Sequence, residues 1–100
     1  MYLILIVGRK ATEIDMKEFT YKICDDLGIH ARPAGLLVKC ASRFSSEVNI
    51  FNGEKCADMK KLFALMSLGV KKGDTVRVTV SGSDEDEATV EIEGFFKNNL

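Results

Sequence analysis

The stretch Thr75-Val76-Arg77-Val78-Thr79-Val80 constrains the fold of this chain more than any other. Valine alternates there with a polar residue, so a strand has Val76, Val78 and Val80 on one face and Thr75, Arg77 and Thr79 on the other. β-Branched side chains suit such a pleated, half-buried surface. A strand apolar on one face only belongs in an antiparallel sheet with one side solvated, not in a parallel sheet buried on both. Two further segments repeat the pattern. In Glu18–Ile23, Phe19, Tyr21 and Ile23 share a face, and Glu47–Phe51 forms another strand. Asn52-Gly53 follows it as a strong hairpin signal, so Glu54–Ala57 returns antiparallel beside it.

Helical patterns fall between these strands. Pro33 opens a helix over Pro33–Ser42, with Leu36, Leu37, Cys40 and Ala41 as its core stripe. Lys39 and Arg43 complement the negative end of its dipole. Asp58 is a good N-cap for a short helix over Met59–Leu68, and Gly69 suits the residue that ends it. Lys71-Lys72-Gly73-Asp74 makes a turn before the valine strand, and Ser81-Gly82-Ser83 ends that strand. Asp84-Glu85-Asp86-Glu87 puts acids in the first turn of a last helix, which explains the run better than a metal site does. That helix turns Ala88, Ile92 and Phe95 or Phe96 inward, while Gly94 weakens its end. The order β-α-β-β-α-β-α, with one apolar face per strand, specifies an α+β domain with helices on one side of the sheet.

Composition narrows the function. A chain of 100 residues is one domain and can bury a modest core without disulfides or a metal. A formal charge of −1 supplies no drive toward nucleic acid, and no aromatic-basic stripe offers a base-stacking platform. The three cysteines, Cys24, Cys40 and Cys56, are odd in number and form no CxxC pair. They are expected as small buried hydrophobes in a reducing cytoplasm, and with His30 they lack the spacing of a metal site. No cofactor is expected. The apolar run Met1–Val7 is far shorter than the about 20 residues that span a bilayer. Basic residues follow that run instead of preceding it, unlike a signal peptide, so no membrane insertion is expected. Residues 1–15 read as an N-terminal extension, either adventitious or an added strand, and residues 16–100 as the folded domain.

The chemistry concentrates in Gly28-Ile29-His30-Ala31-Arg32-Pro33-Ala34, which holds the only histidine and the only proline. Proline is tolerated in the first turn of a helix, so His30 and Ala31 lie at or just before a helix N-terminus. Free backbone N–H groups and the positive dipole end make an anion site there. Arg32 adds a guanidinium shaped to meet a phosphate. Gly28 permits a close approach to the helix start, and Asp25-Asp26 mark a turn just upstream. An imidazole over such a site can accept a phosphoryl group. The alternative is a capping or surface histidine without a function.

Three blocks carry a resemblance: this seven-residue segment, then Met66-Ser67-Leu68-Gly69, then Ser81-Gly82 with the acids of Asp84–Glu87. In this order they resemble the HPr family, the histidine-containing phosphocarriers of the phosphoenolpyruvate-dependent sugar phosphotransferase system. The likeness covers Met16 to Leu100. It implies an open-faced β-sandwich, a four-stranded antiparallel sheet with three helices on one face. It further implies a bacterial stoichiometric carrier, not an enzyme, that acts as a cytoplasmic monomer. His30 would take a phosphoryl group on Nδ1 from phosphorylated enzyme I and pass it to the histidine or cysteine of a sugar-specific enzyme IIA. The backbone N–H groups of Ala31 and Arg32 and the Arg32 side chain would meet the phosphate. Leu62, Phe63 and Met66 match the family's apolar docking patch, and Lys39 a basic residue at its rim. Leu62 and Met66, four apart, can also be read as core, whereas Leu65 and Leu68 are expected to be more buried than Phe63.

Two positions depart from the family. Many members carry a kinase-regulated serine where this chain has Lys61, preceded by Lys60, and a lysine cannot take that modification. Leu27 stands where a small polar residue often orients the histidine loop. Two other function classes remain open: a regulatory paralogue that binds partner proteins with His30 phosphorylation as a signal, and a thiol-based metal or redox binder.

Overall fold

The computed structural model describes residues 16–100, and the extension expected at residues 1–15 lies outside the described residues. The order is β1 (Met16–Lys22), α1 (Ala31–Ser42), β2 (Glu47–Asn52), β3 (Lys55–Asp58), α2 (Leu62–Ser67), β4 (Thr75–Ser81) and α3 (Glu85–Asn99). The four strands form one sheet in the order β1-β4-β2-β3, with every neighbouring pair antiparallel.

The valine strand lies inside the sheet, as its apolar face requires. Val78 stands between Phe19 of β1 and Ile50 of β2, and Val80 is paired with Val48. Val76, Val78 and Val80 are fully buried. The helices close this face with Ala34, Leu37 and Ala41 of α1, Leu65 of α2, and Ala88, Ile92 and Phe96 of α3. Phe96 meets Phe19 and Tyr21 edge-on, with ring centroids 5.7 and 5.5 Å apart. Such aromatic geometry adds to the burial itself. Among the described residues no helix covers the opposite face. There the Arg77 guanidinium lies 4.1 Å from the centre of the Phe51 ring and 3.3 Å from Glu18.

Several sequence expectations are corrected. The second helix begins at Leu62, not Met59. Met59 lies in the turn just past β3, fully buried, and its N–H bonds the Val48 carbonyl at 2.9 Å, which holds it out of the helix. Asp58 caps a turn by accepting the Lys60 N–H at 2.9 Å, and Lys61 takes the helix N-cap. Leu36 is 43% exposed, not core. The buried stripe of α1 runs through Ala34, Leu37 and Ala41, and one residue's rotation of about 100° carries Leu36 toward α3. Cys24 and Cys56 are exposed and only Cys40 is half-buried, contrary to three buried thiols. Burial pushes the Cys40 thiol above its ordinary value, against the pull of Arg43 and with that of Glu91. α3 runs unbroken through Gly94 to Asn99, although glycine costs about 0.5–1 kcal/mol relative to alanine inside a helix. The burial of Phe96 and the bond from the Leu100 N–H to the Phe96 carbonyl at 2.9 Å hold that last turn.

The acidic run does begin a helix, with Glu85, Asp86 and Glu87 in the first turn. Asp84 does more. Its carboxylate accepts the Ser45 N–H at 2.9 Å, the Ser46 N–H at 3.0 Å and the Ser46 hydroxyl, tying the α1–β2 loop to the start of α3. These bonds, the Ser46 hydroxyl first, hold its carboxyl at about 2 against an ordinary 3.8. A carboxyl lowered by folding stabilises above its unfolded value, and that contribution is lost as pH falls through the folded one. The wild type should therefore lose stability between about pH 4 and pH 2 more steeply than Asp84→Asn, as read by urea unfolding at each pH.

Candidate functional site

The loop from Ile23 to His30 is built by backbone contacts. Ile23 is buried, its N–H bonds the Asp74 carbonyl at 2.9 Å, and its carbonyl accepts the Gly73 N–H at 2.8 Å. The N–H groups of Cys24 and Asp25 both donate to the Leu100 carbonyl, at 2.6 and 2.8 Å. Asp25 then makes a tight turn, its carbonyl accepting from Gly28 and its Oδ2 from Leu27, both at 3.0 Å. Gly28 has φ +67°, and a Cβ there would collide with the Val70 carbonyl. The absent side chain lets the loop lie on the backbone after α2, where the Ile29 N–H bonds the same carbonyl at 3.2 Å. Ile29 is buried, which points the chain outward at the next residue.

That next residue is His30, the N-cap of α1, in extended conformation and with no side-chain cap bond. The imidazole is free of the structural duty that the bland alternative would give it. Ala31 and Arg32 begin the helix, so their N–H groups have no intrahelical acceptor, and none among the described residues meets them. Pro33 supplies no N–H and is buried, consistent with a helix start. The exposed Arg32 guanidinium pairs with no carboxylate among the described residues. His30, Arg32, Pro33, Leu36 and Asn99 line one shallow cleft, so the structure brings the histidine and the arginine together.

Sequence reasoning missed Asp25 as a partner of the histidine. Its Oδ2 lies 3.7 Å from His30 Nε2, too long for a hydrogen bond but close enough to act electrostatically. A carboxylate there favours the tautomer with the proton on Nε2 and leaves the Nδ1 lone pair available. The pair Asp25-Asp26 signalled only a turn, and nothing in its spacing could reveal the approach to His30.

The expected docking residues lie on the surface. Phe63 is 83% exposed, with Leu62 and Met66 exposed beside it on α2, while Leu65 and Leu68 are buried beneath. Six helical residues give room for one inward anchor only, which leaves the rest of the apolar set outside. Lys39 is exposed on α1. Among the described residues no cluster of His, Cys, Asp and Glu is placed to hold a metal ion, and no helix is long and apolar enough to cross a membrane.

A family profile described as the PTS HPr component phosphorylation site matches residues 17–98. The chain belongs to the HPr family. Members of this family are phosphocarriers of the phosphotransferase system and not catalysts. A Mycoplasma histidine-containing phosphocarrier protein is 34% identical, with a TM-score of 0.80 over 82% of this chain and 93% of its own. An HPr of Thermoanaerobacter tengcongensis is 38% identical, with a TM-score of 0.79 over 82% and 92%. Crh of Bacillus subtilis, a catabolite-repression protein described as a domain-swapped dimer, is 32% identical, with a TM-score of 0.67 over 80% and 92%. The α+β open-faced sandwich is thus the HPr architecture.

Gly28→Ala adds a methyl group both at a left-handed φ and against the Val70 carbonyl. It should lower unfolding stability by about 1–3 kcal/mol in urea titration and shift the His30 imidazole resonances.

Proposed function

We propose that this chain relays a phosphoryl group through His30, from phosphorylated enzyme I to enzyme IIA proteins or domains. The observation that carries this reading is the arrangement at the start of α1: an imidazole that makes no cap bond, and two N–H groups and a guanidinium that meet no acceptor or carboxylate among the described residues. In the forward step the Nδ1 lone pair of His30 attacks phosphorus on the phosphohistidine of enzyme I. A new P–N bond forms as the old one breaks, and its electron pair returns to the enzyme I imidazole. The second step repeats this with a histidine nitrogen or cysteine sulfur of enzyme IIA as the attacking atom. Preorganised donors aimed at the moving charge lower such barriers, here the Ala31 and Arg32 N–H groups and the Arg32 side chain.

Leu62, Phe63 and Met66 serve as the docking patch, with Lys39 at its rim. A flexible, Met-containing apolar surface suits several successive partners. The carrier domain is residues 16–100, acting as a monomer in the cytoplasm. A second reading, a regulatory paralogue that docks on partner proteins, is favoured by the likeness to Crh.

Incubation with radiolabelled phosphoenolpyruvate and enzyme I tests this. The wild type should take up acid-labile label and His30→Ala none, while Arg32→Ala should slow uptake by about 10²-fold. Phe63→Ala should raise KM with little change in kcat. Label that reaches His30 but moves to no enzyme IIA favours the regulatory reading, and an unlabelled wild type beside an active control carrier sinks the relay.

A further inference from the structure

An open groove of about 820 Å³ runs between α1 and α3. Leu36, Lys39 and Cys40 line one side, and Val90, Gly94 and Phe95 the other. Both lips carry exposed apolar side chains, with Val90 70% accessible. Gly94 adds no side chain to its lining. This glycine lies inside an unbroken helix and has no positive φ that would call for it. A Cβ at the position would meet nothing within 4 Å, so no neighbour requires the side chain to be missing. Glycine inside a helix is destabilising relative to alanine, so the described fold gives no reason of its own for glycine here.

The groove is continuous with the histidine site. Leu36 and Asn99 line both the groove and the His30 cleft. Leu36 lies six residues along α1 from His30, a rise of about 9 Å, so a body seated on His30 reaches the groove without further movement. The charges at its rim are uneven. Arg43 is paired with Glu91 at 3.2 Å, whereas Lys39 meets no carboxylate among the described residues.

We propose that the protein exchanging a phosphoryl group with His30 also docks in the α1–α3 groove. It inserts an apolar side chain over Gly94, between Leu36 and Phe95, and sets a carboxylate beside Lys39. This extends the docking surface from Lys39 along α1 toward α3, and it rests on the carrier reading above. Apolar insertion into a ready groove supplies affinity, and the charge pair at the rim supplies orientation and encounter rate.

Substitution of Gly94 tests this without touching the phosphoryl site. Gly94→Leu puts a branched side chain where the partner's side chain would insert, while Gly94→Ala makes the same backbone change with a single methyl group. Both should melt at or above the wild-type temperature. In transfer from phosphorylated enzyme I, Gly94→Leu should raise KM at least tenfold with kcat within twofold, and Gly94→Ala should leave both unchanged. If Gly94→Leu fails to fold, Val90→Lys on the exposed lip should raise KM in the same way. A folded Gly94→Leu with wild-type KM overturns the proposal, as happens if the groove takes a second copy of this chain or a small apolar molecule instead. Calorimetric titration with unphosphorylated enzyme I separates this from failure of the carrier reading. Weaker binding by Gly94→Leu supports groove docking even where no label moves, and equal binding overturns it.

Discussion

Everything in this fold depends on the burial of one sheet face by three helices. Val78 sits between Phe19 and Ile50 and under the helices, and the polar side chains on that face, such as Lys17 and Asn52, lie at its margins. Each fully buried side chain of this kind stabilises by about 1.5–3 kcal/mol, whereas an exposed ion pair contributes about 0–1 kcal/mol. The surface pairs Lys17–Asp86, Arg43–Glu91 and Lys72–Asp26 therefore decorate a structure that the apolar face already holds. Because that face is single, α1 has to lie on it, and its N-terminus opens at the margin of the sheet where a partner can reach it.

At that margin lie groups that the core leaves unsatisfied. The N–H groups that begin α1 meet no acceptor among the described residues, and the residue before them is a histidine. A helix of six residues buries Leu65 and leaves Leu62, Phe63 and Met66 outside, where they forgo favourable burial. Gly94 likewise stands inside α3 where alanine would be more stable. Natural chains rarely reach their stability optimum, and these are places where this one falls short of it.

The histidine loop shows how backbone contacts govern chemistry. Gly28 lies against Val70, Ile29 is buried, and the Leu100 carbonyl holds two successive N–H groups upstream. The imidazole is thereby fixed by groups that never touch a phosphate. Asp25 is drawn in by the same turn, since the oxygen that accepts the Leu27 N–H is the one facing His30 Nε2.

By itself the sequence determined the strand faces, the hairpin at Asn52-Gly53 and a helix opening near Pro33, although its first residue is Ala31 and not Pro33, because each follows from local rules of spacing and φ restriction. The β4 alternation and the seven-residue motif are local in that sense. What tertiary structure decided is everything that depends on a partner distant in the chain. Met59 stayed out of α2 because Val48 accepts its N–H, and Leu36 left the core because the buried stripe of α1 runs through Leu37. Cys24 and Cys56 came to the surface, and Gly94 was carried through α3 by the burial of Phe96. The approach of Asp25 to His30 belongs with these. Long-range contacts of this kind are settled by which surfaces are buried together, and no spacing along the chain encodes them.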